Sequence, residues 1–147
     1  MDRSRLKADL TLAESRSNKA YKDSEGLWTG GIGHLLPDQH RDWTGVVFSD
    51  AQVDQWFEDD VSHAIWEASQ TLEWQYLDTD ARQNALCELI FNLGLARWKL
   101  FAHCRYAITK KDWPTAHDQL LDSKWAGQVK ATRANRLANY LLTGEFA

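Results

Sequence analysis

The chain has 147 residues, of which 44% are hydrophobic and 26% are charged, and its formal net charge is −4. This length predicts a single domain with enough apolar material for a core that needs no disulfide or metal, although two lobes within one chain remain possible. No run approaches the ~18 apolar residues of a membrane span, and the N-terminus leads into no apolar signal core, so we expect a soluble cytoplasmic product without stable membrane insertion.

The charge is divided unevenly along the chain. Residues 1–96 carry 8 Lys and Arg against 17 Asp and Glu, a net charge of −9, whereas residues 97–137 carry 9 against 3, a net charge of +6. The basic part either attracts an anionic polymer in a salt-dependent way or is an ordinary solvated helix surface. Nucleic acid is a poor fit, because the chain is acidic overall and shows no basic helix or aromatic RNA-binding motif.

The first elements are a helix and a small sheet. Leu6, Leu10 and Ala13 fall at helical spacing and predict an N-terminal helix of about three turns that ends near Glu14. Residues 18–34 predict a small antiparallel sheet, and residues 35–48 a loop. Within the sheet, residues 23–26 (Asp-Ser-Glu-Gly) have the composition of a tight turn, which short strands on either side would flank.

Helices follow. Residues 49–52 (Ser-Asp-Ala-Gln) have the form of a capping box and precede an apolar stripe of about twenty residues, the longest predicted helix. Another helix should begin within residues 78–80 (Asp-Thr-Asp) and stop at Gly94, and it should form the core of the larger lobe. Shorter helices are predicted at 97–109, 113–123 and 131–143, the last ending at Gly144. Strands first and helices afterwards predict an α+β class.

Three residues carry the strongest chemical signal. Asp23 follows Glu14 by nine residues, and Thr29 follows Asp23 by six. Cleavage of a glycosidic bond needs one acid to protonate the departing oxygen and a second carboxylate on the other side of the sugar. Each residue alone has a structural explanation, as a helix end, a turn residue and a strand threonine. Their joint spacing favours a glycan-cleaving site.

With these residues, the chain resembles the phage-type lysozymes, the T-even-phage muramidase family, whose signature is Glu, eight residues, Asp, five residues, Thr, then Gly-x-Gly-His. The resemblance continues through most of the chain, in the blocks 91–94, 111–113, 123–125, 133–136 and 142–144. It departs from the family at Ser15, where Gly is usual, and at Asn92-Leu93, where the family has Gln-Met. The resemblance implies a lysozyme-like fold, with a small β-sheet lobe at about 15–60 and a helical lobe at about 61–147 that includes the N-terminal helix, joined by the long helix.

The resemblance also implies the reaction and its residues. The enzyme would hydrolyse the β-1,4 bond between N-acetylmuramic acid and N-acetylglucosamine in peptidoglycan, with inversion and without cofactor or metal. Glu14 would donate the proton, while Asp23 and Thr29 hold the attacking water. Arg133 would pair with Glu14. The expected substrate contacts are Leu35, Phe91, Asn92, Cys104 and Gln119. A lone His34 without partner spacing is expected to be a structural hydrogen-bonding residue rather than a metal ligand.

Several expectations concern the protein as a whole. Cys87 and Cys104 fit no metal spacing and are expected to be free thiols. We expect a monomeric endolysin that is made in the host cytoplasm and reaches the cell wall after release through a holin pore. Two alternatives stay open. One is a virion-associated structural or wall-binding module that retains the lysozyme fold; the other is a lytic transglycosylase, which would leave Asp23 unexplained.

Overall fold

The computed structural model describes all of residues 1–147 and divides into two compact units. The small unit comprises Lys7–His63, and the helical unit comprises Met1–Leu6 and Ala64–Ala147. The border therefore differs from the expected one, because most of the N-terminal helix belongs to the small unit. Its side chains explain this membership: Lys7 forms an ion pair with Glu58, and Leu10 is completely buried.

The small unit is built on a three-stranded antiparallel sheet in the order β1-β2-β3. Helix α1 (Arg3–Glu14) leads into β1 (Ser17–Lys22), which pairs with β2 (Trp28–Gly31), and β2 pairs with the short β3 (His34–Leu35). The predicted helix end at Glu14 and the predicted sheet are both confirmed. In the β1–β2 hairpin, Tyr21 lies opposite Thr29 and Lys22 lies opposite Trp28.

Helix α2 (Asp50–Ser69) begins as the capping pattern predicted. The Ser49 hydroxyl accepts a hydrogen bond from the Gln52 backbone N–H at 3.1 Å, which satisfies one of the amides left without a partner at a helix start. The apolar stripe of α2 supplies much of the small unit's core. The buried apolar side chains of this unit are Leu10, Ile32, Leu36, Trp43, Val53, Phe57 and Val61.

The helical unit contains the remaining elements. They are a 3₁₀ helix (Leu72–Tyr76) and helices α3 (Asp80–Leu93), α4 (Leu95–Trp98), α5 (Ala102–Thr109), α6 (Trp113–Leu121), α7 (Lys124–Gln128) and α8 (Ala131–Thr143). Helix α3 is buried almost all round and packs against α8, as expected of a core helix. Gly94 and Gly144 end α3 and α8 with positive φ angles of 80° and 72°.

The prediction of one continuous helix over 97–109 is wrong, because α4 ends at Trp98 and α5 begins at Ala102. Tertiary contacts stabilise this break. Trp98 is fully buried and its indole N–H donates to Glu73 at 2.6 Å, while an Arg105 amino group donates to the Lys99 carbonyl at 3.2 Å. No Gly or Pro marks the position, so the local sequence carries no signal for it. The 3₁₀ helix and α7 were also not predicted.

Candidate active site

Glu14 is the last residue of α1, and its carboxylate lies against the backbone of Gly33. A Cβ atom at residue 33 would stand 2.7 Å from Glu14 Oε2, so a side chain there would displace the carboxylate, and Gly33 has a φ of +65°. Glycine at this position therefore makes the space that the carboxylate occupies. Ser15, directly after Glu14, also has a positive φ of 60° and turns the chain sharply toward β1.

Asp23 opens the turn of the β1–β2 hairpin, as the composition of that turn predicted. Its Oδ1 accepts hydrogen bonds from the backbone N–H groups of Glu25 and Leu27, both at 2.9 Å. The Gly26 N–H also donates to the Asp23 carbonyl at 3.0 Å, and Gly26 has a φ of +78°. One carboxylate oxygen is thus held by the turn, while Oδ2 accepts no hydrogen bond from another protein residue.

Thr29 is 4% exposed, and, like Asp23, it forms a hydrogen bond with the backbone of Leu27. Its hydroxyl donates to the Leu27 carbonyl at 2.9 Å, and the Leu27 N–H donates to Asp23 Oδ1 at 2.9 Å. A single residue, Leu27, therefore fixes both groups. Because the Thr29 proton is committed to the carbonyl, the hydroxyl oxygen is left as an acceptor for an incoming group.

Tyr21 is a residue of the site that the sequence reasoning missed. It lies directly opposite Thr29 in the hairpin, so the two side chains emerge on the same face. The pKa of Tyr21 is raised above its usual value, first by burial and then by the negative charges of Glu14 and Asp23. Both carboxylates are therefore close to this phenol. Its hydroxyl forms no hydrogen bond within the protein. The hairpin register, readable from the Asp23 turn, was the signal that could have revealed it.

His34 supports the sheet from its third strand. Its Nδ1 lies 2.7 Å from Asp60 Oδ2, and its ring stacks on Trp56 with the centroids 4.3 Å apart and the planes at 10°. These contacts attach β3 to helix α2, the arrangement expected of a structural hydrogen-bonding residue. Leu35, the next residue, is 53% exposed and could contact a ligand. No group of three or more His, Cys, Asp or Glu side chains is arranged to hold a metal ion.

The other expected substrate contacts belong to the helical unit. Cys104 and Gln119 help line a depression of about 400 Å³. Cys104, however, is only 2% exposed and its thiol lies 3.5 Å from the Ala116 carbonyl, so it forms the base of the wall rather than an accessible contact. The Trp125 indole N–H, at the same depression, donates to Asn92 Oδ1 at 2.8 Å. Phe91 is half-buried near the end of α3.

Arg133 binds a glutamate within its own unit. Its Nε donates to Glu88 Oε2 at 2.9 Å, and Arg136 donates to both oxygens of the same carboxylate, each at 2.9 Å. Glu88 is 1% exposed and Arg133 is 8% exposed. Two of the basic residues expected to attract an anionic polymer therefore neutralise a buried carboxylate. The expected pairing of Arg133 with Glu14 stays a prediction.

Comparison with known proteins identifies the family. The model of the family described as Phage lysozyme matches residues 11–139. The chain belongs to the phage lysozyme family. Members of this family are glycoside hydrolases of the lysozyme type, and the sheet followed by helices is the family's α+β fold. The earlier resemblance is therefore confirmed. No helix of this lysozyme family member has the length and apolar character that crossing a membrane requires.

Named relatives agree with this assignment. "Probable T4-type lysozyme 2" of Dictyostelium discoideum is 30% identical over 164 positions, covering 96% of this chain and 95% of that protein. "Probable T4-type lysozyme 1" of the same organism is 26% identical, with the same coverage of each chain. "Peptidoglycan hydrolase gp36" of Pseudomonas phage phiKMV is 25% identical over 121 positions, which cover 82% of this chain and 13% of that longer protein.

Proposed function

We propose that this phage lysozyme family member is an endolysin, a muramidase that hydrolyses the β-1,4 bond between N-acetylmuramic acid and N-acetylglucosamine and so lyses the host cell. The observation that carries the proposal is the coupling of Asp23 and Thr29 through the N–H and C=O of Leu27. The names of the relatives, two lysozymes and a peptidoglycan hydrolase, also support it. The endolysin role further implies synthesis in the host cytoplasm and release to the wall through a holin pore.

The coupled pair suits the placement of a water molecule. Thr29 donates its proton to Leu27, so its oxygen can accept one proton of a water, and Asp23 Oδ2 can accept the other. A water held in this way directs a lone pair toward the sugar and loses a proton to Asp23 as it attacks. In a direct attack by Asp23, the acceptor site on the Thr29 oxygen would have no role in the reaction. We therefore propose an inverting mechanism.

Glu14 is proposed as the general acid. An inverting glycosidase needs a protonated carboxyl near the leaving oxygen, while the second carboxylate activates water from the other face of the ring. Glu14 ends a helix, and its carboxyl lies against Gly33, whose lack of a side chain leaves room for it. Tyr21, whose pKa both carboxylates affect, is proposed to donate its hydroxyl proton to a substrate oxygen. Its raised pKa keeps the phenol neutral, and a neutral phenol is a hydrogen-bond donor.

Replacement of the acid tests the assignment. Glu14→Gln keeps the shape of the side chain but cannot protonate the leaving oxygen, so turnover of purified peptidoglycan should fall by roughly 10²-fold or more. Asp59→Asn, which removes an exposed carboxylate from α2, is the matched control and should retain activity. Activity of Glu14→Gln within a factor of ~3 of wild type would exclude Glu14 as the proton donor.

The configuration of the first product tests the mechanism. Inversion requires carboxyl groups roughly 6.5–9.5 Å apart and yields an α-configured reducing end from a β-linked substrate. Proton NMR of the anomeric signals during early turnover, before mutarotation, should show the α-anomer first. Initial appearance of the β-anomer would indicate retention and make Asp23 the nucleophile.

A further inference from the structure

A second depression, of about 470 Å³, lies in the small unit beside the β1–β2 hairpin. Its volume falls within the ~300–1,000 Å³ typical of ligand sites. We refer to it as the hairpin depression. Six of its lining residues matter to its chemistry: Lys22, Trp28, Gln39, His40, Arg41 and Asp42. None of them belongs to the set of groups assigned above to catalysis.

The hairpin register separates this depression from the catalytic groups. Residues that pair directly across two strands share a face, and the next pair along points to the opposite face. Tyr21 and Thr29 form one pair and Lys22 and Trp28 the next. The hairpin therefore presents its catalytic side chains on one face and the lining of the depression on the other.

The walls of the hairpin depression are fixed by internal hydrogen bonds. The Gln39 amide accepts from the Trp28 N–H at 2.7 Å and donates to the carbonyls of Trp28 and Leu36 at 2.9 and 2.8 Å. Asp42 Oδ1 accepts from the Thr44 N–H at 3.0 Å and from its hydroxyl at 2.6 Å. These polar side chains are thus engaged in holding the loop, and a ligand would enter a preformed site.

Two cations and an indole are available to a ligand. Lys22 and Arg41 are exposed and form no salt bridge, whereas Lys7 and Arg16 of the same unit both form ion pairs. The pKa of Asp42 is lowered first by its hydrogen bonds from Thr44 and then by the charge of Lys22, so one carboxylate of the lining is already compensated. The Lys22 ammonium lies 5.3 Å from the centre of the half-buried Trp28 ring, and the Arg41 guanidinium lies 4.0 Å from the ring of Trp43. Cationic donors beside a flat aromatic surface suit a ligand that combines sugar rings with carboxylates on attached groups.

We propose that the hairpin depression is a second, non-catalytic binding site for the acidic glycan of the cell wall. The inference rests on the proposed function, because that function supplies a polymer whose peptide substituents carry carboxylates. One strand could occupy the catalytic groups while a neighbouring strand occupies the depression. Two linked contacts raise the effective affinity for an intact wall without changing the affinity for a short fragment.

The experiment measures binding of Glu14→Gln protein to purified peptidoglycan sacculi by sedimentation at ~0.05 M salt. Lys22→Gln combined with Arg41→Gln should weaken binding about 5-fold, since one exposed charge contact contributes roughly 1.5- to 5-fold. Lys19→Gln combined with Lys110→Gln removes two exposed cations outside the depression and should bind like the parent. Amidation of the carboxylates of the sacculi should weaken binding of the parent protein. The remaining affinity should equal that of Lys22→Gln/Arg41→Gln for untreated sacculi.

Turnover separates this inference from the proposed function. With Glu14 intact, Lys22→Gln/Arg41→Gln should cleave a short soluble muramyl oligosaccharide at the wild-type rate. Failure of the wild-type protein to cleave that fragment would refute the proposed function. The binding assay does not depend on turnover and measures only the contribution of the hairpin depression to wall affinity. Equal wall affinity for the two double variants, or binding unaffected by amidation, would overturn the second site. A thermal melt confirms that both double variants are folded.

Discussion

At the scale of single residues, the Tyr21 hydroxyl is the most informative side chain to alter. Tyr21→Phe removes one potential hydrogen bond to substrate and leaves the hairpin pairing with Thr29 in place. Loss of one neutral hydrogen bond costs about 0.5–1.5 kcal/mol, so kcat/KM should fall roughly 2- to 12-fold. Tyr106→Phe, at a side chain that is 65% exposed in the helical unit, should have no effect. An unchanged kcat/KM for Tyr21→Phe would show that the hydroxyl does not contact substrate.

Ser15 offers a test of backbone strain at the site. Its φ of 60° lies in the left-handed region, which costs a residue with a Cβ atom roughly 1–2 kcal/mol. Ser15→Gly removes that cost but adds freedom to the unfolded chain, so a net gain of about 0.5–1 kcal/mol is expected. The midpoint of thermal unfolding should rise by roughly 1–4 °C.

The control for Ser15→Gly is the same kind of change at a helical position. Ala8→Gly lies in the middle of α1 on an exposed surface, and it should destabilise the protein by about 1 kcal/mol. Opposite signs for the two variants would locate the strain in the backbone at residue 15. A lower melting temperature for Ser15→Gly would show instead that the Ser15 side chain stabilises the turn.

At the scale of secondary-structure elements, a buried ion cluster joins α3 to α8. Glu88 of α3 accepts hydrogen bonds from Arg133 and Arg136 of α8. Glu88→Gln removes the charge between two guanidinium groups, and breaking a buried pair at one partner typically costs about 3 kcal/mol. Urea unfolding should show this loss, whereas Glu145→Gln near the exposed C-terminus should unfold like wild type. A decrease of less than ~1 kcal/mol in the free energy of unfolding would mean that water compensates the two guanidinium groups in place of the charged carboxylate.

At the scale of the whole molecule, the two thiols report on unfolding. Cys87 and Cys104 are 0% and 2% exposed, and burial raises the pKa of each to about 12. At pH 8 the reactive thiolate is therefore scarce and shielded. Native protein should react with a thiol reagent at least ~100-fold more slowly than protein in guanidinium chloride, which should titrate both cysteines. Rapid labelling of the folded protein would contradict the observed burial.

The uneven distribution of charge along the chain can also be interpreted only in the whole folded molecule. The sequence shows an acidic first part and a basic second part, which left two interpretations of the basic residues open. In the folded protein, Arg105 binds the buried Glu73, and Arg133 and Arg136 bind the buried Glu88. Three of the nine cations in residues 97–137 therefore compensate buried carboxylates. A count along the sequence cannot separate such residues from surface cations.

Local sequence patterns were sufficient to predict the class of fold and most element boundaries, and they supplied the residues that we propose for the centre of the site. These features depend on local chemistry: the Asp23 turn, the Ser49 cap and the glycines that end α3 and α8 act over a few residues. The catalytic spacing also indicated the family, which the comparison with known proteins confirmed.

Contacts between residues that are distant in the chain could be identified only from the folded structure. The break between α4 and α5 depends on the contact of Trp98 with Glu73, and the role of Arg133 within its unit depends on Glu88, 45 residues away. Burial and long-range pairing set these outcomes, because the energy of a buried charge depends on neighbours that no local pattern identifies.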